Sequence, residues 1–226
     1  MTTSYRQIIS RLEALSDPAS LAGMARFGIV CDRAYGVRIP ELRRIAKEAG
    51  RNHPLALRLW REECRETRIL AGMLAEPAKV TEGLMEEWVA GFDNWETCDQ
   101  VCMNLFEKTP FAWGKALAWP GRQEELVKRA GFVLMARLAV SDKQAPDGHF
   151  EAFFPLICRE AGDGRNYVKK GVNWALRQIG KRNRNLHRRA VAIAEEIAAM
   201  ESRSARWIAA DALRELTDQA VLGRIR

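Results

Sequence analysis

The chain has 226 residues, 47% hydrophobic and 29% charged, with 36 Lys and Arg against 29 Asp and Glu for a net charge of +7. That is an ordinary globular composition with ample material for a core, and the positive balance favours a polyanion as partner. No stretch approaches the roughly 20 apolar residues of a membrane span, and Met1 to Arg11 shows no apolar signal segment.

The pattern is helical almost throughout, as runs of 3.6 periodicity broken by Pro or Gly. Asp17-Pro18 reads as the cap and first residue of a helix reaching about Ala25. Gly28 to Arg38 is an irregular connection. Pro40 opens a helix that closes at Gly50, and His53-Pro54 opens another that ends near Arg61. Glu62 to Ala75 and Thr81 to Ala90 follow. Asp93 then reads as an N-cap, with Glu96 completing a capping box, for a helix from Trp95 to Lys108. The remaining helices are Pro110 to Ala118, Gln123 to Val140, Gly148 to Ala161, Asn166 to Gly180, Asn185 to Met200 and Ser202 to Leu216. No β-branched alternation marks a strand and no long linker divides the chain, so residues 1–226 are expected to form one all-α domain. Five scattered cysteines without a CxxC pair fit neither a disulfide framework nor a zinc site. Cys98 and Cys102 read as small core residues, and a reducing, cytoplasmic setting is expected.

A weak internal repeat runs through this pattern. Val127-Lys128-Arg129-Ala130-Gly131 lines up with Val168-Lys169-Lys170-Gly171-Val172, and Ala175-Leu176-Arg177 with Ala212-Leu213-Arg214. Helix pairs recurring at such spacings are the pattern of HEAT-like α-solenoids, which carry a concave surface lined by one helix per unit. Aligned on Arg68 and Arg129, Asp99 takes a position that neighbouring units fill with a cation.

Two segments carry chemistry. In Asn94-Trp95-Glu96-Thr97-Cys98-Asp99 the indole of Trp95 and the carboxylate of Asp99 stand at i and i+4, on one side of a helix. Alone, such a pair also describes a plain helix start with one packed aromatic and one exposed acid. Arg165 to Arg189 holds nine positive charges and no Asp or Glu. Within it Val168, Val172, Ala175 and Ile179 form an apolar stripe, while Lys170, Trp174, Arg177 and Lys181 form a second one on the other side. An aromatic among cations suits a nucleic-acid surface. A Trp packed under the next repeat and covered by Lys and Arg stems is the alternative.

The order and spacing of several segments resemble the HEAT-like-repeat DNA alkylation repair proteins, the AlkD-type alkylpurine DNA glycosylases. The resemblance runs from about residue 20 to 216. It rests on Met24-Ala25-Arg26-Phe27, Tyr35-Gly36-Val37, Pro40-Glu41-Leu42-Arg43, the Asn94 to Asp99 segment, Val127-Lys128-Arg129-Ala130, Val168-Lys169-Lys170 and Trp174-Ala175-Leu176-Arg177. It implies a monofunctional hydrolase that releases cationic N3- or N7-alkylated purines from duplex DNA. Asp99 would be the catalytic carboxylate, Trp95 and Trp174 would flank the damaged nucleotide and Arg129 would support the site. DNA contacts would fall to Arg26, Phe27, Arg38, Lys169, Lys170, Arg177, Lys181, Arg182 and Arg184. Phe27 stands where better-known members have a tyrosine, and Glu96 and Cys98 stand where they have Asp and Val. No cofactor, metal, membrane or obligate protein partner is implied, and a monomer is expected.

An alkylated purine of this kind is already a cationic leaving group, so the transition state needs no general acid. It needs negative charge beside the deoxyribose, which one ionised carboxylate supplies while holding the attacking water. A HEAT-like module that binds bent, branched or damaged DNA without chemistry is the competing expectation. A protein-binding scaffold is the third.

Overall fold

The computed structural model describes residues 4–225, and among these every regular element is a helix. The contacts cluster into two compact units, residues up to Pro110 and residues from Phe111. The sequence predicts one domain; the two units are described in turn.

The first unit contains α1 (Tyr5–Ala14), α2 (Pro18–Arg26), α3 (Ile39–Ala49), α4 (His53–Trp60), α5 (Arg65–Leu74), α6 (Glu82–Ala90) and α7 (Trp95–Asn104). Helix α5 is its centre and packs against α3, α4 and α7. The α5–α7 approach is close because Gly72 has no side chain: a Cβ there would stand 3.1 Å from a Val101 methyl. Trp60 of α4 and Trp88 of α6 stack with centroids 4.3 Å apart. Ile69, Leu70, Leu74, Met85 and Val101 of the same unit are fully enclosed. Cys98 and Cys102 are buried here as core residues.

The second unit contains α8 (Ala112–Ala118), α9 (Glu125–Ser141), α10 (Asp147–Glu151), α11 (Phe154–Glu160), α12 (Asn166–Gly180), α13 (Arg184–Ala198), α14 (Arg203–Leu216) and α15 (Gln219–Leu222). Helix α12 is the centre, packed between α9 and the α13–α14 pair. The predicted stripe of Val168, Val172, Ala175 and Ile179 is fully buried, as the 3.6 period requires of a helix with one face in a core.

Most predicted boundaries fall within two or three residues of the observed ones, and the differences have local causes. Glu63 takes a left-handed conformation, φ 50°, so the helix expected from Glu62 begins at Arg65. The helix expected over 148–161 divides into α10 and α11. Pro155 lies in the first turn of α11, where its missing N–H costs nothing. Phe150 and Phe153 flank that division and pack on Trp113 of α8, with centroids 5.2 and 5.5 Å away. Helices α1 and α15 have no counterpart in the sequence expectation. No helix among the described residues is long and apolar enough to cross a membrane.

Candidate nucleic-acid interface

Helix α7 starts at Trp95, as the sequence predicts, but its cap lies one residue later than expected. Asn94, not Asp93, is the N-cap: its side-chain oxygen accepts from the Thr97 N–H at 2.9 Å. Asn94 also donates to Asp93 and to the Thr97 hydroxyl, at 2.7 and 3.0 Å, and is 2% exposed. The expected capping box of Asp93 and Glu96 is therefore absent, because α5 draws both carboxylates away. Asp93 pairs with Arg68 at 3.2 Å. Glu96 receives the Nε and an Nη of Arg65 at 2.8 and 2.7 Å.

Arg65 also donates to Glu66 at 2.6 Å and to the Val37 carbonyl at 3.0 Å. Glu66, fully buried, accepts the backbone N–H groups of Tyr35, Gly36 and Val37 at 2.9 to 3.2 Å. One buried network thus ties the irregular connection after α2 to α5 and to the first turn of α7. For Arg65, burial opposes the charge, but Glu96 and Glu66 outweigh it and raise its pKa.

Asp99 lies in the second turn of α7 and is 8% exposed. Trp95, one turn earlier, is half-buried, and its indole N–H donates to the Phe27 carbonyl at 3.1 Å. The ring of Phe27 is 75% exposed. Arg26 and Arg38, the other first-unit residues expected at DNA, are also exposed.

In the second unit the expected cations separate into two groups. Arg177 and Lys181 are both ion-paired with Glu215 of α14. Arg182 donates to the carbonyls of Ala139 and Ala145 at 3.1 and 2.9 Å, with its guanidinium 4.3 Å from the Phe150 ring centre. Arg129 is 5% exposed and donates to the Tyr167 carbonyl at 2.8 Å, joining α9 to the start of α12. Lys169 lies over the Trp207 ring at 4.7 Å. Lys170 and Arg184 are exposed, as are Arg188 and Arg189. Trp174 is half-buried.

The sequence predicts the helix α14 but names no site residue on it. Its Arg203, Arg206, Trp207 and Arg214 are exposed, and Asp211 and Glu215 serve α12. A signal for this was present. Asn173 with Asp211 and Arg177 with Glu215 are both 38 residues apart, a second-unit period that also pairs Lys169 with Trp207. Among the described residues no cluster of three or more His, Cys, Asp or Glu is arranged to hold a metal.

Residues 8–216 match the family model described as DNA alkylation repair enzyme. Comparison with curated proteins gives no match. One solved structure, described as a new family of proteins related to the HEAT-like repeat DNA glycosylases with affinity for branched DNA structures, superposes with a TM-score of 0.79 at 20% identity. It covers 94% of this chain and 95% of that one. A designed armadillo repeat protein in complex with a Lys-Arg peptide aligns at a TM-score of only 0.38 and 12% identity, over 81% and 78% of the two chains.

Proposed function

The chain belongs to the DNA alkylation repair enzyme family, and from that premise we propose that it is a DNA glycosylase for cationic N3- and N7-alkylated purines. The observation that supports this reading is the buried carboxylate of Asp99, one helical turn after Trp95. Its two acidic neighbours, Asp93 and Glu96, are committed to holding α7 against α5. As the glycosidic bond lengthens, positive charge grows on the deoxyribose. A carboxylate about 4 Å away, at an effective dielectric of about 20, attracts it by roughly 4 kcal/mol, which corresponds to about a thousandfold in rate. Asp99 carries that role and orients the water that attacks the sugar carbon. The indole of Trp95 offers a π-face to the cationic nucleotide. Trp174 and Arg129 belong to the hold of the second unit on DNA: Trp174 through its partly exposed ring, and Arg129 by fixing the start of α12, which carries Lys170.

The decisive assay follows free base released from duplex containing N7-methylguanine or N3-methyladenine. Wild-type release that falls about a thousandfold in Asp99→Asn, with DNA affinity kept, is the expected outcome. Tight binding with release no faster than the spontaneous rate rejects the enzyme. That result would favour the second reading, a protein that binds bent or branched DNA without excision. This reading is supported by the likeness to the solved structure related to HEAT-like repeat DNA glycosylases with affinity for branched DNA.

A further inference from the structure

Helix α14 carries an exposed stripe to which neither the excision chemistry nor α12 gives a task. Its largest side chain, Trp207, is 40% exposed. Arg203, Arg206, Ala210 and Arg214 are exposed around it, and Arg203, Trp207, Ala210 and Arg214 recur at the spacing of one helix face. The core needs none of them, since Ala205, Ile208, Ala209, Ala212 and Leu216 are the apolar residues that α14 buries. The acids of this helix are already engaged. Asp211 accepts from Asn173 at 2.6 Å and pairs with Arg214, while Glu215 is held by Arg177 and Lys181. Three contacts, Lys169 with Trp207, Asn173 with Asp211 and Arg177 with Glu215, each span 38 residues. That constant offset means that α12 and α14 run parallel and side by side. Lys169 of α12 thereby reaches over the indole, 4.7 Å from its centre.

We infer that this stripe is an open platform for an unpaired DNA strand that continues from a bound duplex. The proposal rests on the DNA-binding reading above and adds to it a class of substrate, duplex with a single-stranded tail. A single strand presents phosphates and flat faces together, and the stripe offers the complement of both. Trp207 supplies the π-face, and Lys169, Arg203 and Arg206 supply cations for the phosphates. Ala210, one turn after Trp207, is too small to cover the ring. The exposed indole singles out the unpaired strand, because stacking closes the base faces of a duplex to a flat side chain. Distance points the same way. Packed helices stand roughly 8–10 Å apart, less than the width of a duplex, so a duplex held on α12 leaves beside it the room of one strand. The platform has no walls, and no base has to be drawn into a pocket. Binding should therefore tolerate any tail sequence.

The probe is an unmodified duplex carrying a tail of about ten thymidines, within the usual single-strand site sizes, on its 5′ or its 3′ end. Fluorescence anisotropy compares it with the same duplex cut blunt. Wild type should prefer one tailed duplex by roughly tenfold, the scale of one base–aromatic stack. Trp207→Ala should bring that ratio near one and leave blunt-duplex affinity unchanged, while Trp207→Phe should keep most of the preference. Arg203→Ala combined with Arg206→Ala, at exposed positions, tests the platform without touching the ring. It should shrink the extra salt slope contributed by the tail by about 1.4, two contacts of about 0.7 each for a single strand. Blunt and tailed duplexes bound alike by wild type, or a tail preference that survives both Trp207→Ala and the double variant, overturn the platform alone. So does an equal loss on blunt and tailed duplex in Trp207→Ala with a wild-type melting temperature, which would place the indole on the duplex backbone. A wild type that binds neither probe overturns the DNA reading beneath it.

Discussion

Gly36 shows how single positions set the first unit. Its φ is +79°, and a Cβ there would be driven into the Asp17 carbonyl oxygen. Gly36→Ala therefore combines left-handed strain with a backbone clash, and chemical denaturation should show a loss of roughly 1–3 kcal/mol. Gly50 also has a positive φ, of 70°, but open space around it. With ψ at 178° it lies in a region essentially reserved to glycine, so Gly50→Ala should cost roughly 1–3 kcal/mol from strain alone. The same scale explains the N-cap. Asp93 and Asn94 are both good capping residues, so local preference does not decide between them. Arg68 decides, by taking the Asp93 carboxylate.

Between elements, the Arg65–Glu66–Glu96 network connects α5, α7 and the loop after α2. Replacing Arg65 with Met would leave two buried or nearly buried carboxylates without their cation. Thermal or denaturant unfolding should show a loss of about 3–5 kcal/mol, far more than for an exposed pair. The α12–α14 contact is the second-unit counterpart. Burial alone would raise the Glu215 carboxyl, but hydrogen bonds from Lys181 and Arg177 outweigh it and hold the group below its ordinary value. A carboxylate depressed in the folded state contributes stability that is complete above its unfolded value, about 4.3. That contribution is lost as pH falls through the lower folded value. The melting-temperature difference between wild type and Glu215→Gln should therefore be flat above about pH 5.5 and shrink toward zero in stronger acid.

For the whole molecule, the count of 36 Lys and Arg overstates the cations a polyanion would meet, because some of them, Arg177 and Lys181 among them, are paired with acids of the same chain. If Lys170, Arg184, Arg188 and Arg189, all exposed, each meet a phosphate, log affinity against log salt should have a slope of about −3.6. Lys170→Glu should flatten it by about one phosphate contact and weaken binding without altering stability. Arg177→Glu should behave differently. It sets two carboxylates against each other at Glu215, so its main effect should be a lower melting temperature. Equal DNA-binding losses with unchanged stability in both variants would show that Arg177 meets the DNA directly.

Helix positions, the Pro and Gly breaks and the buried stripe of α12 were legible in the sequence because each depends on neighbours within a turn or two. The family was legible too, from segments whose order survives along the chain. The partners of the charges were not. Arg177 and Lys181 stand in a stretch without acids, yet Glu215 reaches them from 34 to 38 residues away. Asp93 and Glu96 form a plausible capping box in sequence, yet two arginines of α5 claim them. A cleft in the first unit joins residues from positions 17 to 96, and no local pattern predicts that they share a wall. Charges and cavities depend on the register between packed helices. That register follows from side-chain volumes and close approaches such as Gly72 on Val101, so only the tertiary structure decides it.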